Sequence, residues 1–290
     1  MENTFIPYKK ALSILEEHKG NFPTTSRNLE DCIGAYLAED LIADRDFPPF
    51  DRVTMDGIAI VYDSFENGQR TFNIESTAAA GIPQLTLKDT QNCIEVMTGA
   101  IMPNGIDTVI RYEDLEIVDH TATINLDSLN YKQNVHFKGM DIPQGSVIVQ
   151  KGKRLSSAEI NIAAAVGKPQ LQVRQLPRVV IFSTGDELVD VHETPKLHQI
   201  RRSNIYGIQA TLKEWVIPAD LHHLADNKTE MLKVISKALN DYDLFVFTGG
   251  VSKGKFDYLP DVLEELQITK HFHKIQQRPG KPFWFGSNTN

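Results

Sequence analysis

Two short, uninterrupted apolar runs constrain this chain most: RVVIF at 178–182 and DLFVF at 243–247. A strand with one face in water alternates apolar and polar residues. A continuous run belongs to a parallel strand covered on both faces. Around these runs the pattern turns helical. A helix is expected from about Ser203 to Glu214 and another over roughly 227–239, with a strand near 217–224 between them. DYLPDVLEEL reads as a third helix, and KHFHKI after it as a strand. This β-α-β-α-β-α-β order predicts a doubly wound parallel sheet.

The first half reads differently. PYKKALSILEEHK (7–19) is a short amphipathic helix, with Leu12 and Leu15 on one face. From about 56 to 139 the runs GIAIVY, TFNIES, CIEVMTG, DTVIRY, LEIVD and TATINL are broken by Gly, Asn and Asp. Such spacing predicts a compact all-β domain. Farther on, Ser156 with Glu159 fits a capping box and Leu155 with Ile160 a hydrophobic staple, so a helix should start there and end at Gly167.

At 290 residues the chain has room for two or three domains. Lys and Arg number 30 against 38 Asp and Glu, a net charge of −8. That excludes a general nucleic-acid or membrane-surface binder, which needs a basic face, but leaves room for a local anion pocket. Cys32 and Cys93 have no metal-ligand spacing and read as reduced structural thiols. The N-terminus is too polar for a signal peptide, and no apolar run approaches the roughly 20 residues of a membrane helix. A cytoplasmic protein is expected.

In an open parallel sheet, ligands bind beyond the carboxyl ends of the strands. The residues there are Ser183, Thr184, Gly185, Asp186 and Glu187 after the first strand, Asp226 after the second, and Thr248, Gly249, Gly250, Ser252 and Asp257 after the third. Arg278, Gly280 and Lys281 follow the fourth. All four loops are expected on one rim. Glycines let backbone N–H groups approach a phosphate, and Arg278 and Lys281 add positive charge. Carboxylates beside an anion site become useful if they hold a divalent cation. Taken singly, Asp257 and Asp226 also read as helix caps. His222–His223 and His271–His273 suit ordinary surface or core roles better than metal ligation. A second polar cluster lies upstream: Asp56 in FDRVTMDG, Thr98 in VMTGAIMPNG and Asp141 in KGMDIPQG. Each of these segments also reads as a simple β-turn.

The motifs FPPFDRVTMDGIAI, VMTGAIMPNGIDTVIRYED, GMDI, FSTGDEL, SN at 203–204, TGGVSKGKFDYL and RPGKPFWFG, in this order, resemble the molybdopterin molybdenumtransferase family. These are the MoeA-type proteins, related to the gephyrin E domain. The resemblance implies insertion of molybdate into adenylylated molybdopterin with release of AMP, and Mg²⁺ as cofactor. It implies catalytic roles for Asp56, Thr98, Asp141, Glu187, Asp226 and Asp257, and metal contacts for Asp186, Glu187 and Asp257. Ser183, Thr184, Gly185, Thr248, Gly249, Gly250, Ser252, Arg278 and Lys281 would bind the pterin substrate.

The same resemblance implies a multidomain α/β plus β fold. An elongated first domain would come from 1–50 and 140–176, an inserted β domain from 51–139, and the molybdopterin-binding α/β domain from 177–290. It also implies a homodimer and contact with other proteins of the cofactor pathway. Ile58 stands where the family has an aromatic residue, and Arg278 where it has lysine. The family continues beyond this point with a strand, a loop, a helix and a fourth β domain, so a C-terminally incomplete chain is expected. Two other functions fit parts of the pattern: adenylylation of molybdopterin, and a non-catalytic scaffold on the same fold.

Overall fold

The computed structural model describes residues 5–250 and 257–288. The chain divides into two compact units. One comprises Met1–Arg27, Asp31–Ala38 and Gln172–Asn290, and the other Asn28–Glu30 and Glu39–Leu171.

The second unit is built on one six-stranded sheet, in the order Thr108–Arg111, Gly57–Ile60, Cys93–Val96, Thr71–Ala78, Thr121–Ile124, Leu115–Val118. All six runs expected as strands are in it. Both faces are covered around Gly57–Ile60. Ile58, Ile60, Phe72 and Ile110 pack on one side with Phe65, and Ala59, Ile94, Val96 and Val109 on the other with Val53 and Met102. That is why GIAI is apolar throughout rather than alternating. The same unit holds the helix Ser157–Ala165. Its Ser156 and Glu159 form the expected capping box, and Gly167 beyond its end has φ +71°.

The first unit contains a three-stranded parallel sheet in the order Ala219–Leu224, Val179–Thr184, Leu244–Thr248. The strand Val179–Thr184 is buried along its whole length. Side-chain alternation sends Val179 and Ile181 to one face, where Ile205 and Leu212 of the helix Asn204–Glu214 cover them. Val180 and Phe182 point the other way, against Met231 and Ile235 of Lys228–Ala238 and Val262 and Leu263 of Leu259–Glu265. Helices on both faces make this sheet doubly wound, as expected. The fourth strand differs from the expectation. Thr269–His273 pairs antiparallel with Trp284–Ser287 and lies outside the parallel sheet. Its Phe272 ring packs instead against the tilted rings of Phe283 and Phe285.

Among the described residues no helix is long and apolar enough to cross a membrane. Cys32 and Cys93 are buried and form no disulfide, and burial pushes the Cys93 thiol up to about 12, which keeps it protonated and unreactive.

Candidate functional site

The strand order places second-strand and third-strand neighbours on opposite sides of Val179–Thr184. The chain therefore winds away in both directions from the gap between Val179–Thr184 and Leu244–Thr248. A crevice opens at the carboxyl ends of such a pair. Ser183, Thr184 and Gly185 occupy one lip, and Thr248, Gly249 and Gly250 the other, with Ser183 in register with Thr248.

The two lips touch. A Cβ on Gly249 would come 2.7 Å from Thr184 Oγ1 and 3.1 Å from the Thr184 carbonyl oxygen; on Gly250 it would come 3.0 Å from the same hydroxyl. Both glycines have positive φ, +101° and +67°. Only glycine lets the turn lie this close to the neighbouring strand end while leaving its N–H groups clear of a side chain. Ser183 is turned inward, with its hydroxyl 3.1 Å from His223 Nδ1. Gly185, at φ +128°, sits under the Glu187 carboxylate, which an added Cβ would overlap.

The carboxylates gather beside this crevice. Asp186 Oδ1 accepts the backbone N–H of Asp226 at 3.0 Å. Burial pushes the Asp226 carboxyl above the usual carboxylate range. The Asp186 N–H offsets part of that rise, and the charges of Asp186, Glu187 and Asp257 add to it. Those four acidic residues thus share one electrostatic neighbourhood. Neither Asp226 nor Asp257 occupies the cap position of its helix. Asn227 caps its helix by accepting the Glu230 N–H, and Tyr258 holds the cap position of the next one. Among the described residues, no three His, Cys, Asp or Glu side chains converge on a point that a metal could occupy.

The strand before Arg278 and Lys281 is not part of the parallel sheet, and neither residue makes an ion pair among the described residues. Lys281 Nζ lies 4.5 Å from the centre of the Phe5 ring. His222 packs on Phe182, and His271 lies against His18 with ring centres 3.7 Å apart and the planes tilted by 41°. Ser252 lies outside the described residues.

Within the β unit, Asp56 and Thr98 come together. The Thr98 N–H donates to Asp56 Oδ1 at 2.6 Å, and this bond, helped by the Thr98 hydroxyl, holds the Asp56 carboxyl below the usual range. Backbone bonds strap the two turns to each other: Gly99 N–H to the Val53 carbonyl at 2.9 Å and Val53 N–H to the Ala100 carbonyl at 3.0 Å. Gly57 must be glycine, because any Cβ there would overlap the Ile110 carbonyl across the ladder. Asp141 is held through a residue that no sequence motif singles out. His136 Nε2 lies 2.9 Å from Asp141 Oδ1, and His136 Nδ1 lies 3.1 Å from Arg52 Nη2. Arg52 sits in FDRV and His136 five residues before Asp141, but only the pairing of two distant strands shows that they meet.

Two family models match. "MoeA N-terminal region (domain I and II)" covers residues 6–167, and "Probable molybdopterin binding domain" covers 180–289. A molybdopterin molybdenumtransferase of Synechocystis is 43% identical over 282 residues, covering 95% of this chain and 71% of that protein. One from Staphylococcus epidermidis is 33% identical and covers 96% of this chain and 68% of that protein. Among solved structures, a molybdopterin biosynthesis MoeA protein from Pyrococcus horikosii superposes with a TM-score of 0.81 at 29% identity, covering 98% of this chain and 72% of that one. With both models in chain order and sequence identity carried through most of its length, the chain belongs to the MoeA-type molybdopterin molybdenumtransferase family.

Proposed function

We propose that this chain inserts molybdate into adenylylated molybdopterin and releases AMP. The observation that carries the reading is the close glycine turn at Gly249–Gly250 facing the Ser183–Gly185 strand end, with carboxylates gathered beside it, in a chain of this family. In the reaction, water adds across the anhydride between AMP and the pterin's terminal phosphate, giving free AMP and the pterin phosphate. Two Mo–S bonds form to the dithiolene as its two thiol protons leave with one molybdate oxygen as water.

Gly249 and Gly250, with Thr184, Gly185, Thr248 and Ser252, would receive the pterin phosphate through backbone and hydroxyl donors, whereas Ser183, expected among them, is buried with its hydroxyl turned onto His223. Arg278 and Lys281 would add charge. Glu187, Asp226 and Asp257 would act on the reacting phosphate, and Asp56, Thr98 and Asp141 on the molybdate end of the substrate. Magnesium belongs to the same proposal. Mg²⁺ is commonly held by one or two carboxylates plus waters and phosphate oxygens, so it needs no three-ligand protein cage. The crowding of negative charge on Asp226 supports a cation there. Asp186, Glu187 and Asp257 would supply its one or two carboxylates, and once bound it would neutralise phosphate charge.

The homodimer, contacts with other proteins of the cofactor pathway and the three-part domain division rest on the family resemblance, and with the expected cytoplasmic location they form part of this reading. The test is purified protein with adenylylated molybdopterin, Mg²⁺ and molybdate. AMP release that depends on molybdate is expected. AMP release indifferent to molybdate would sink the proposal, and adenylylation of molybdopterin from ATP would favour the alternative transferase.

A further inference from the structure

A line of three side chains runs through the β unit and ends at Asp141. Arg52 and His136 are directly opposite each other in the antiparallel pair Arg52–Val53 and Val135–His136. A guanidinium carries donors only, so at 3.1 Å the His136 Nδ1 must accept from Arg52. The proton of a neutral ring then sits on Nε2, where it donates to Asp141 Oδ1 at 2.9 Å. One residue thus sets the tautomer and the next uses it.

Asp141 needs such a partner. Its side chain is 56% exposed, whereas that of His136 is 22% exposed. Its backbone is fixed, with the Asp141 N–H donating to the Phe47 carbonyl at 3.0 Å and the preceding turn passing through Gly139 at φ +71°. The backbone bonds leave χ1 and χ2 of the carboxylate free. A hydrogen bond from a half-buried ring of set orientation selects one direction for it.

We propose that His136 is a positioning residue for Asp141, held in its Nε2–H tautomer by Arg52. The proposal rests on the role given to Asp141 in the molybdate-insertion reading. His136→Phe should lower kcat for molybdate-dependent AMP release about tenfold and leave KM within about twofold, because misorientation of an acting group costs rate more than affinity. His136→Gln, whose amide can both donate to Asp141 and accept from Arg52, should recover to within about threefold of wild type. In an Asp141→Asn background, His136→Phe should add little, since the two residues act as a unit.

A second readout needs no activity. Long-range ¹H–¹⁵N correlation on histidine-labelled protein should show His136 protonated at Nε2 in the wild type and a mixture of tautomers in Arg52→Leu. An Nδ1-protonated ring in the wild type overturns the proposal even if His136→Phe fails to fold. So does a His136→Phe loss that is equal in the wild-type and Asp141→Asn backgrounds, or a Gln variant no better than Phe. Wild-type protein that releases no AMP but shows the expected tautomer shift would refute the molybdate-insertion reading and leave the Arg52–His136–Asp141 coupling standing.

Discussion

The Asp186 carboxylate accepts the backbone N–H of Asp226 at 3.0 Å, which ties the ends of two adjacent parallel strands together and sets one negative charge beside another. Burial and the neighbouring carboxylates hold the Asp226 pKa above its ordinary value of 3.8. A group whose folded pKa is raised contributes stability that is present below the unfolded pKa and lost as pH rises through the folded one. Ionised Asp226 therefore works against the fold at neutral pH. Asp226→Asn should raise stability at pH 7 by about 0.5–1 kcal/mol, the lower part of the usual range for such changes, because a half-buried charge is screened. The gain should vanish below about pH 3.8, where both side chains are neutral. AMP release should fall roughly 100-fold, typical for a lost acid–base or charge-positioning group. Thermal melts from pH 3 to 8 check the first part; a variant less stable than wild type at pH 7 would contradict it.

Asp56 carries the opposite sign. The Thr98 N–H and hydroxyl hold its pKa below 3.8. Its contribution is therefore full above the unfolded pKa and lost as pH falls through the folded one. Asp56→Asn should lower the urea midpoint at pH 7, and the difference from wild type should close on acidification below the folded pKa. A gap that stays constant with pH would mean that shape, not charge, holds the MDG turn to the MTGA turn.

Much of this is legible in the residues, and what is not shares a cause. RVVIF reads as a parallel strand buried on both faces because continuous apolarity has one common explanation in a strand of that length. DLFVF reads as its parallel neighbour on the same grounds, although at the edge of the three-stranded sheet its side chains are only partly buried. The capping box at Ser156 is legible because it is a purely local device. KHFHKI is legible as a strand but not in its partner: its pairing with Trp284–Ser287, where Phe272 meets Phe285, joins segments that local pattern does not connect. Asp226 and Asp257 each read as a cap because an acidic residue beside a helix start usually is one. One neighbour, Asn227, makes the cap bond itself, and Tyr258 occupies the other cap position. Arg52 and His136 meet across 84 residues of sequence, so nothing local could announce them.

Gly57 tests why the MDG turn ends in glycine. Its Cα faces Ile110 and Arg111 across the ladder, with the Arg111 Cα 2.8 Å from where a Cβ would stand. These are backbone atoms of a paired strand and cannot swing away. Gly57→Ala should cost about 1–3 kcal/mol, the usual range for forced overpacking, and should loosen the Asp56–Thr98 contact beside it. Urea unfolding gives the cost. An Ala variant as stable as wild type would show that the two strands separate more easily than their pairing suggests.

Gly249 separates two reasons for the close glycine turn at the crevice. An alanine there would meet Thr184 Oγ1 at 2.7 Å and the Thr184 carbonyl at 3.1 Å, and would have to hold φ near +101°. Strain of this kind costs about 1–3 kcal/mol. The hydroxyl can be removed; the carbonyl and the dihedral cannot. Gly249→Ala should therefore be destabilised within that range, and Thr184→Ala combined with it should recover only the minor part. AMP release should stay low in both, since the added methyl still stands over the N–H groups that would receive the phosphate. If the double variant regained full stability and activity, the hydroxyl clash alone would account for the glycine, and the turn's backbone would have no separate part in binding.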